Sequence, residues 1–165
     1  MNTRIYNVRI LTMEEGGKIA EGEVWIEDDT IICVGQPKET AKRKWDLEID
    51  GKQNLLMPGF KNAHTHSAMT FLRSYADDMK LNEWLHTRVF PAEAKLTGED
   101  VYWLTKLAIL EYLTSGITSI FDMYMYRKDG ARAAIDTGFR NVFCESINDF
   151  GGTVEEVEED YLTYN

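Results

Sequence analysis

Leu55-Leu56-Met57-Pro58-Gly59-Phe60-Lys61-Asn62-Ala63-His64-Thr65-His66 is the stretch on which the reading of this chain turns. An apolar run, a Pro-Gly break and a second short apolar run lead to two histidines, one residue apart, at the end of an expected β-strand. Side chains alternate faces along a strand, so His64 and His66 are expected to point the same way. Two imidazoles on one face can grip one metal ion. A bare His-x-His also arises by chance at a water-exposed strand end, so the flanking sequence has to decide between these readings.

Upstream of this stretch, Ile5, Val8, Ile10 and Leu11 precede the turn cluster Glu14-Glu15-Gly16-Gly17. Glu23-Val24-Trp25-Ile26-Glu27 then meets Ile31-Ile32-Cys33-Val34 across Asp28-Asp29, a hairpin signal. The pattern predicts short antiparallel strands in a meander. Pro37 to Lys44 reads as a loop or short helix. Trp45, Leu47 and Ile49 alternate with Asp46, Glu48 and Asp50, which predicts a half-buried strand. Gly51-Lys52-Gln53-Asn54 turns the chain, and residues 1–54 are expected to form an amino-terminal β lobe that is composite and incomplete, with its boundary near residue 54.

Downstream, the period changes. Met69, Phe71, Leu72 and Tyr75 lead through Asp77-Asp78 to Leu81-Asn82-Glu83-Trp84-Leu85 and Val89-Phe90-Pro91, an irregular apolar segment with helical pieces of the kind that lies over a pocket. Thr97-Gly98-Glu99-Asp100 reads as a helix start. Val101, Leu104, Leu107, Ala108, Leu110 and Leu113 follow at helical spacing up to Ser115-Gly116. Ile117 to Phe121 reads as a buried strand ending at Asp122, Tyr126 to Thr137 as a helix closed by Gly138, and Asn141 to Cys144 as a strand. The acidic segment from Thr153 to Asn165 reads as the beginning of another helix.

Strand, helix, strand, helix, strand is the pattern of a parallel sheet with crossover helices. A closed (β/α)8 barrel takes about 250 residues, and three barrel-type strands are expected here, near 56 to 64, 117 to 122 and 140 to 145. The chain therefore reads as an amino-terminal portion, with residues 55–165 forming the first three βα units. A free-standing three-stranded α/β domain is the alternative, and it would leave two sheet edges exposed.

With 165 residues and 44% hydrophobic composition, the chain can bury a core. Its formal net charge of -10 argues against nucleic acid and anionic membrane surfaces as partners and leaves small molecules. Cys33 and Cys144 form no C-x-x-C pair, which fits reduced core thiols and a cytoplasmic location. Neither a signal-peptide block nor an apolar run of about 20 residues is present.

Met57-Pro58-Gly59-Phe60 followed by Asn62-Ala63-His64-Thr65-His66, behind a β lobe, resembles the opening of the amidohydrolase superfamily, metal-dependent hydrolases built on a (β/α)8 barrel. Ser67-Ala68-Met69-Thr70-Phe71-Leu72-Arg73, Asp77-Asp78, Glu83-Trp84-Leu85 and Phe90-Pro91-Ala92-Glu93 resemble the branch that holds methylthioadenosine/S-adenosylhomocysteine deaminases, chlorohydrolases and guanine deaminases. The resemblance extends through Asp122-Met123-Tyr124. It implies an α/β fold: the first part of a metal-dependent hydrolase TIM (β/α)8 barrel, incomplete in this chain, preceded by a small β-sandwich lobe.

The resemblance also implies a chemistry. His64 and His66 would supply two ligands to one divalent metal ion, Zn2+ with Fe2+ as the alternative. A catalytic zinc lowers the pKa of its water toward about 7, so that hydroxide can attack at neutral pH. In a deaminase this hydroxide adds to the ring carbon bearing the amino group, and ammonia leaves. Further ligands and the proton-shuttling acid belong to later barrel strands, so no catalytic acid or base is assigned within this chain. Trp84 matches a tryptophan that flanks the substrate base, against the plain reading of a core aromatic. Glu93 matches a carboxylate that accepts hydrogen bonds from ribose hydroxyls, against that of a solvated helix acid. His86 does not match the ligand pattern and reads as structural, and Asp122 as a strand-end or capping residue.

Deaminases of this branch that accept S-adenosylhomocysteine use an arginine near the end of the third strand for the substrate's carboxylate. The ungapped alignment through Gly138-Phe139-Arg140 places Glu145 there, while Arg140 stands at the opposite end of the strand. The resemblance then implies a purine nucleoside without an amino-acid tail, such as methylthioadenosine or adenosine, and a homo-oligomeric enzyme. The alternatives are a hydrolase of the same branch acting on guanine or a chlorinated triazine, and a non-catalytic fragment for the literal 165-residue chain.

Overall fold

The computed structural model describes residues 1–37, 43–144, 158–159 and 162–163. The chain divides into two compact units, Met1–Pro58 and Gly59–Asn165.

In the first unit, β1 (Asn2–Leu11) pairs antiparallel with β2 (Ile19–Glu27), which pairs antiparallel with β3 (Thr30–Gly35). That is the expected meander. β4 (Leu47–Asp50) and β5 (Leu55–Leu56) depart from it, because both run parallel to β1, with Ile5 opposite Ile49 and Ile10 opposite Leu56. The chain re-enters the sheet beside β1, giving the order β3-β2-β1-β4 with β5 also on β1. A bulge between Ile5 and Val8, where Asn7 has φ +55°, interrupts the pairing of β1 with β2. β1 pairs with β4 through residues 3–6 and with β5 through Arg9 and Ile10. Because Leu55 and Leu56 are held by β1, the unit runs to Pro58.

Val8, Ile10 and Val24 form the buried core of this sheet, with Ile5, Ile26 and Leu56 packed on them. β4 was expected to be half-buried, yet Leu47 and Ile49 are 44% and 42% exposed. β4 is only four residues long and ends the strand order, and its apolar side chains stay open among the described residues. The described residues of this unit form one five-stranded sheet.

In the second unit, β6 (Phe60–Thr65) leads into a 3-10 helix (Ser67–Leu72). Then follow α1 (Leu81–Trp84), a π-helical turn (Leu85–Val89), α2 (Phe90–Glu93) and α3 (Gly98–Thr114). β7 (Ile117–Met123), α4 (Arg127–Thr137) and β8 (Arg140–Cys144) complete the described fold. The strands are parallel in the order β6-β7-β8, as the strand-helix alternation predicts. β6 begins at Phe60 because the preceding leucines belong to β5. Gly59 allows the strands to close at this point: a Cβ there would lie 2.3 Å from a methyl of Thr118.

α3 starts at a capping box. Thr97 Oγ1 accepts from the Asp100 N–H at 3.3 Å, and the Asp100 carboxylate accepts from the Thr97 N–H at 2.8 Å. Its buried face is Val101, Tyr102, Thr105, Ala108 and Ile109, while Leu107, Leu110 and Leu113 of the expected apolar run are 46%, 59% and 52% exposed. Ile109 joins Ile120 and Phe139 in the core between α3 and the sheet. α4 ends at Gly138, which takes the left-handed conformation at φ +67° that glycine adopts without strain.

Both cysteines are half-buried rather than core, and neither forms a disulfide. No described helix is long and apolar enough to cross a membrane. Of the helix expected over 153–165, Glu158, Glu159, Leu162 and Thr163 are helical, and the remainder lies outside the described residues.

Candidate functional site

His64 is the penultimate residue of β6 and His66 caps the 3-10 helix that follows, at the carboxyl end of a parallel sheet, where barrel enzymes place their sites. The structure brings the two rings together, with centroids 5.1 Å apart and planes at 78°. His66 Nδ1 lies 2.7 Å from the carbonyl oxygen of Met123, at the end of β7. A carbonyl can only accept, so Nδ1 carries the proton and Nε2 keeps its lone pair available to a metal. A ligating histidine is typically oriented in just this way. The His64 side chain is exposed, and its backbone N–H donates to Asn62 Oδ1 at 3.1 Å.

The donor chemistry of this pair suits a divalent ion such as zinc, but it is half of a tetrahedral set. Among the described residues, no group of three or more His, Cys, Asp or Glu side chains stands together to hold an ion. Asp122, 2% exposed on β7, turns instead to the backbone, where its Oδ1 accepts the Ser67 N–H at 3.0 Å. Burial pushes its carboxyl above the ordinary range, against the lowering effect of Ser67 and Asn141. Asp122 thus ties β7 to the residue that follows His66, the capping role expected of it.

A cleft of about 370 Å³ opens beside His66, and its walls include Trp84, Val89, Phe90, Glu93 and Tyr124. Trp84 is half-buried and Glu93 is 9% exposed. Both are carried by residues 81–93, which coil as α1, the π-turn and α2 without leaving the helical region. Where the sequence predicts irregular helical pieces, the structure has one continuous helical segment whose middle turn is wider. Burial raises the carboxyl of Glu93 above its ordinary range, and neighbouring Tyr124 and His66 act in the opposite direction.

Tyr124 is the residue that sequence reasoning missed. Its phenol is raised by burial and by neighbouring Glu93, and the hydroxyl oxygen is buried with no hydrogen-bond partner among the described residues. The available signal was its position two residues beyond Asp122, at the carboxyl end of the second barrel-type strand. His86 is exposed, with Nδ1 2.9 Å from the Asn82 carbonyl and its ring edge-on to Phe90 at 5.3 Å. It stands apart from the cleft, as the structural reading expects. Arg140 opens β8 and is exposed, whereas Glu145 lies outside the described residues.

Residues 55–163 match the amidohydrolase family. A 5′-deoxyadenosine deaminase of Methanospirillum hungatei is 46% identical over 131 residues, covering 78% of this chain and 29% of that enzyme. A 5-methylthioadenosine/S-adenosylhomocysteine deaminase of Syntrophomonas wolfei is 42% identical over 161 residues, 97% of this chain and 37% of that enzyme. The crystal structure of an adenosine deaminase from Xanthomonas campestris with bound zinc superposes with a TM-score of 0.83 at 29% identity, over 98% of this chain and 37% of that one. The chain spans about a third of the length of the curated relatives it matches.

Proposed function

This chain belongs to the amidohydrolase family, and from that premise we propose that it is the amino-terminal part of a metal-dependent aminohydrolase. The substrate is a purine nucleoside such as methylthioadenosine or adenosine, which loses the amino group of its adenine ring as ammonia. The names of the two curated relatives and of the zinc-bound structural neighbour support an adenine nucleoside as substrate and zinc as the ion, with ferrous iron as the alternative.

The observation that carries the reading is the joint placement of His66, Trp84 and Glu93 on one cleft, with the His64 ring beside His66. His64 and His66 hold the ion together with donors from later sequence, which also provides the acid that moves protons. When bound, such an ion activates water for hydrolysis at neutral pH. Trp84 flanks the base, and Glu93 accepts hydrogen bonds from the ribose hydroxyls, which return to a buried carboxylate the partners that burial removed. Residues 59–165 contribute the first three βα units of a (β/α)8 barrel, residues 1–58 contribute to a β-sandwich lobe, and the enzyme is cytoplasmic and homo-oligomeric.

The sequence alignment that sets Glu145 against the arginine of S-adenosylhomocysteine-accepting deaminases supports a preference for nucleosides without a carboxylate tail. Because no further described His, Cys, Asp or Glu clusters with His64 and His66 to hold an ion, the 165-residue chain by itself is inactive.

Ammonia release from adenosine and methylthioadenosine by the full-length protein tests this function. Hydrogen bonds to a charged group contribute about 1.5–3 kcal/mol, so Glu93→Gln should lower kcat/KM on adenosine by about 10- to 100-fold. A nearly silent Glu93→Gln would favour a hydrolase acting on guanine or a chlorinated triazine, for which this carboxylate is idle.

A further inference from the structure

Trp84 and Glu93 are nine residues apart on one helical segment, yet both wall the same cleft. At 3.6 residues per turn, nine steps of an unbroken α-helix separate two side chains by about 180°, on opposite faces. The π-turn at Leu85–Val89 changes that count. The Phe90 N–H donates to the Leu85 carbonyl, five residues back instead of four. One such turn accommodates about one extra residue, so Trp84 and Glu93 stand as if eight apart, at about 80°. Leu85, Val89 and Phe90 join them on the cleft wall.

The sequence supplies a cause for the wide turn. Pro91 has no N–H for an α-type bond to the Thr87 carbonyl, and in a regular helix its ring would collide with that carbonyl. Widening the preceding turn relieves the collision. Pro91 itself is exposed, so it fills no core space.

We propose that Pro91 is a positioning residue: by enforcing the π-turn it sets the helical register that presents Trp84 and Glu93 to one nucleoside. The proposal rests on the roles of Trp84 and Glu93 proposed above and adds the device that makes them simultaneous.

The test uses the full-length enzyme in two variants. Pro91→Ala permits continuous α-helical bonding, and KM for adenosine should rise at least tenfold with kcat within twofold of wild type. Deleting exposed Thr87 from the Pro91→Ala variant shortens the segment by the one residue that the π-turn absorbs. KM should then return to within threefold of wild type. A crystal structure of Pro91→Ala should show four-residue spacing through 85–89 and Glu93 rotated away from Trp84. An unchanged KM in Pro91→Ala, a deletion that fails to restore it, or a retained π-turn in that crystal would overturn the proposal. If the wild-type enzyme released no ammonia from any nucleoside, the assigned function would fail on its own, and the crystal structure would still decide the register.

Discussion

The buried phenol of Tyr124 lacks a hydrogen-bond partner in the wall of the cleft, and leaving such a group unsatisfied costs about 1–3 kcal/mol. Tyr124→Phe should therefore melt no lower than wild type, by thermal denaturation without ligand. A clear drop in Tm would show that the hydroxyl bonds Glu93 in solution. At this scale the sequence spoke unevenly. His64 and His66 were legible because alternation along a strand brings positions two apart to one face, and Asp122 because a strand end is a natural place to cap. The buried place of Glu93 on the cleft wall had no local signal, since an acid three residues beyond Phe90 carries no mark of burial, and the ribose role proposed for it comes from resemblance alone. Tyr124 was missed because its meaning depends on a cavity, which no local pattern encodes.

Among the elements, β1, β2 and β4 are tied by one charged cluster. Arg4 Nε donates to Glu23 Oε2 at 2.8 Å, its Nη2 bonds the other Glu23 oxygen, and Nη1 donates to Glu48 at 3.0 Å. Trp25 Nε1 also donates to Glu23 at 2.8 Å. The Arg4 guanidinium, and then Trp25, hold the Glu23 carboxyl below the ordinary glutamate range against the opposing effect of burial. A group depressed in the folded state adds stability above its unfolded pKa and loses it as pH falls through the folded value. The urea midpoint of the β lobe, followed by tryptophan fluorescence, should fall between pH 6 and pH 3, and Glu23→Gln should flatten that fall. An undiminished pH response in the variant would place the acid sensitivity elsewhere.

Element existence was readable where element pairing was not. The alternation from Trp45 to Asp50 announced a strand, but a period of two is the same for parallel and antiparallel neighbours, so the direction of β4 on β1 stayed hidden. In α3, apolar residues occupy several faces, and its buried side includes Thr105, so spacing alone chose the wrong leucines. The π-turn left a single trace in the sequence, Pro91, whose effect is visible only in the hydrogen bonding before it.

For the molecule as a whole, the sheet of the second unit is parallel and in barrel order, yet Phe60, Phe121 and Val142 are 57%, 43% and 38% exposed. Apolar side chains of this size on a sheet suit a core larger than the described residues supply. The 165-residue chain should accordingly bind a hydrophobic dye such as ANS and lose zinc on desalting. The full-length protein should exclude the dye and retain zinc, and His66→Ala in that protein should abolish the retention. Tight zinc binding by the short chain would contradict a site completed from later sequence. The three-strand pattern was legible because strand and helix periods alternate cleanly. Closure was not, because no periodicity within a strand says which strand will cover its outer edge.

β6, which delivers the histidines, is an end strand of the order β6-β7-β8. If the barrel closes as proposed, this strand leaves the ribosome early and waits for its second neighbour until the last of the polypeptide has been made. During that interval its bare backbone edge is a template for another nascent copy. Translation speed and chaperone capture would then govern the yield of usable enzyme at least as strongly as the stability of the finished fold.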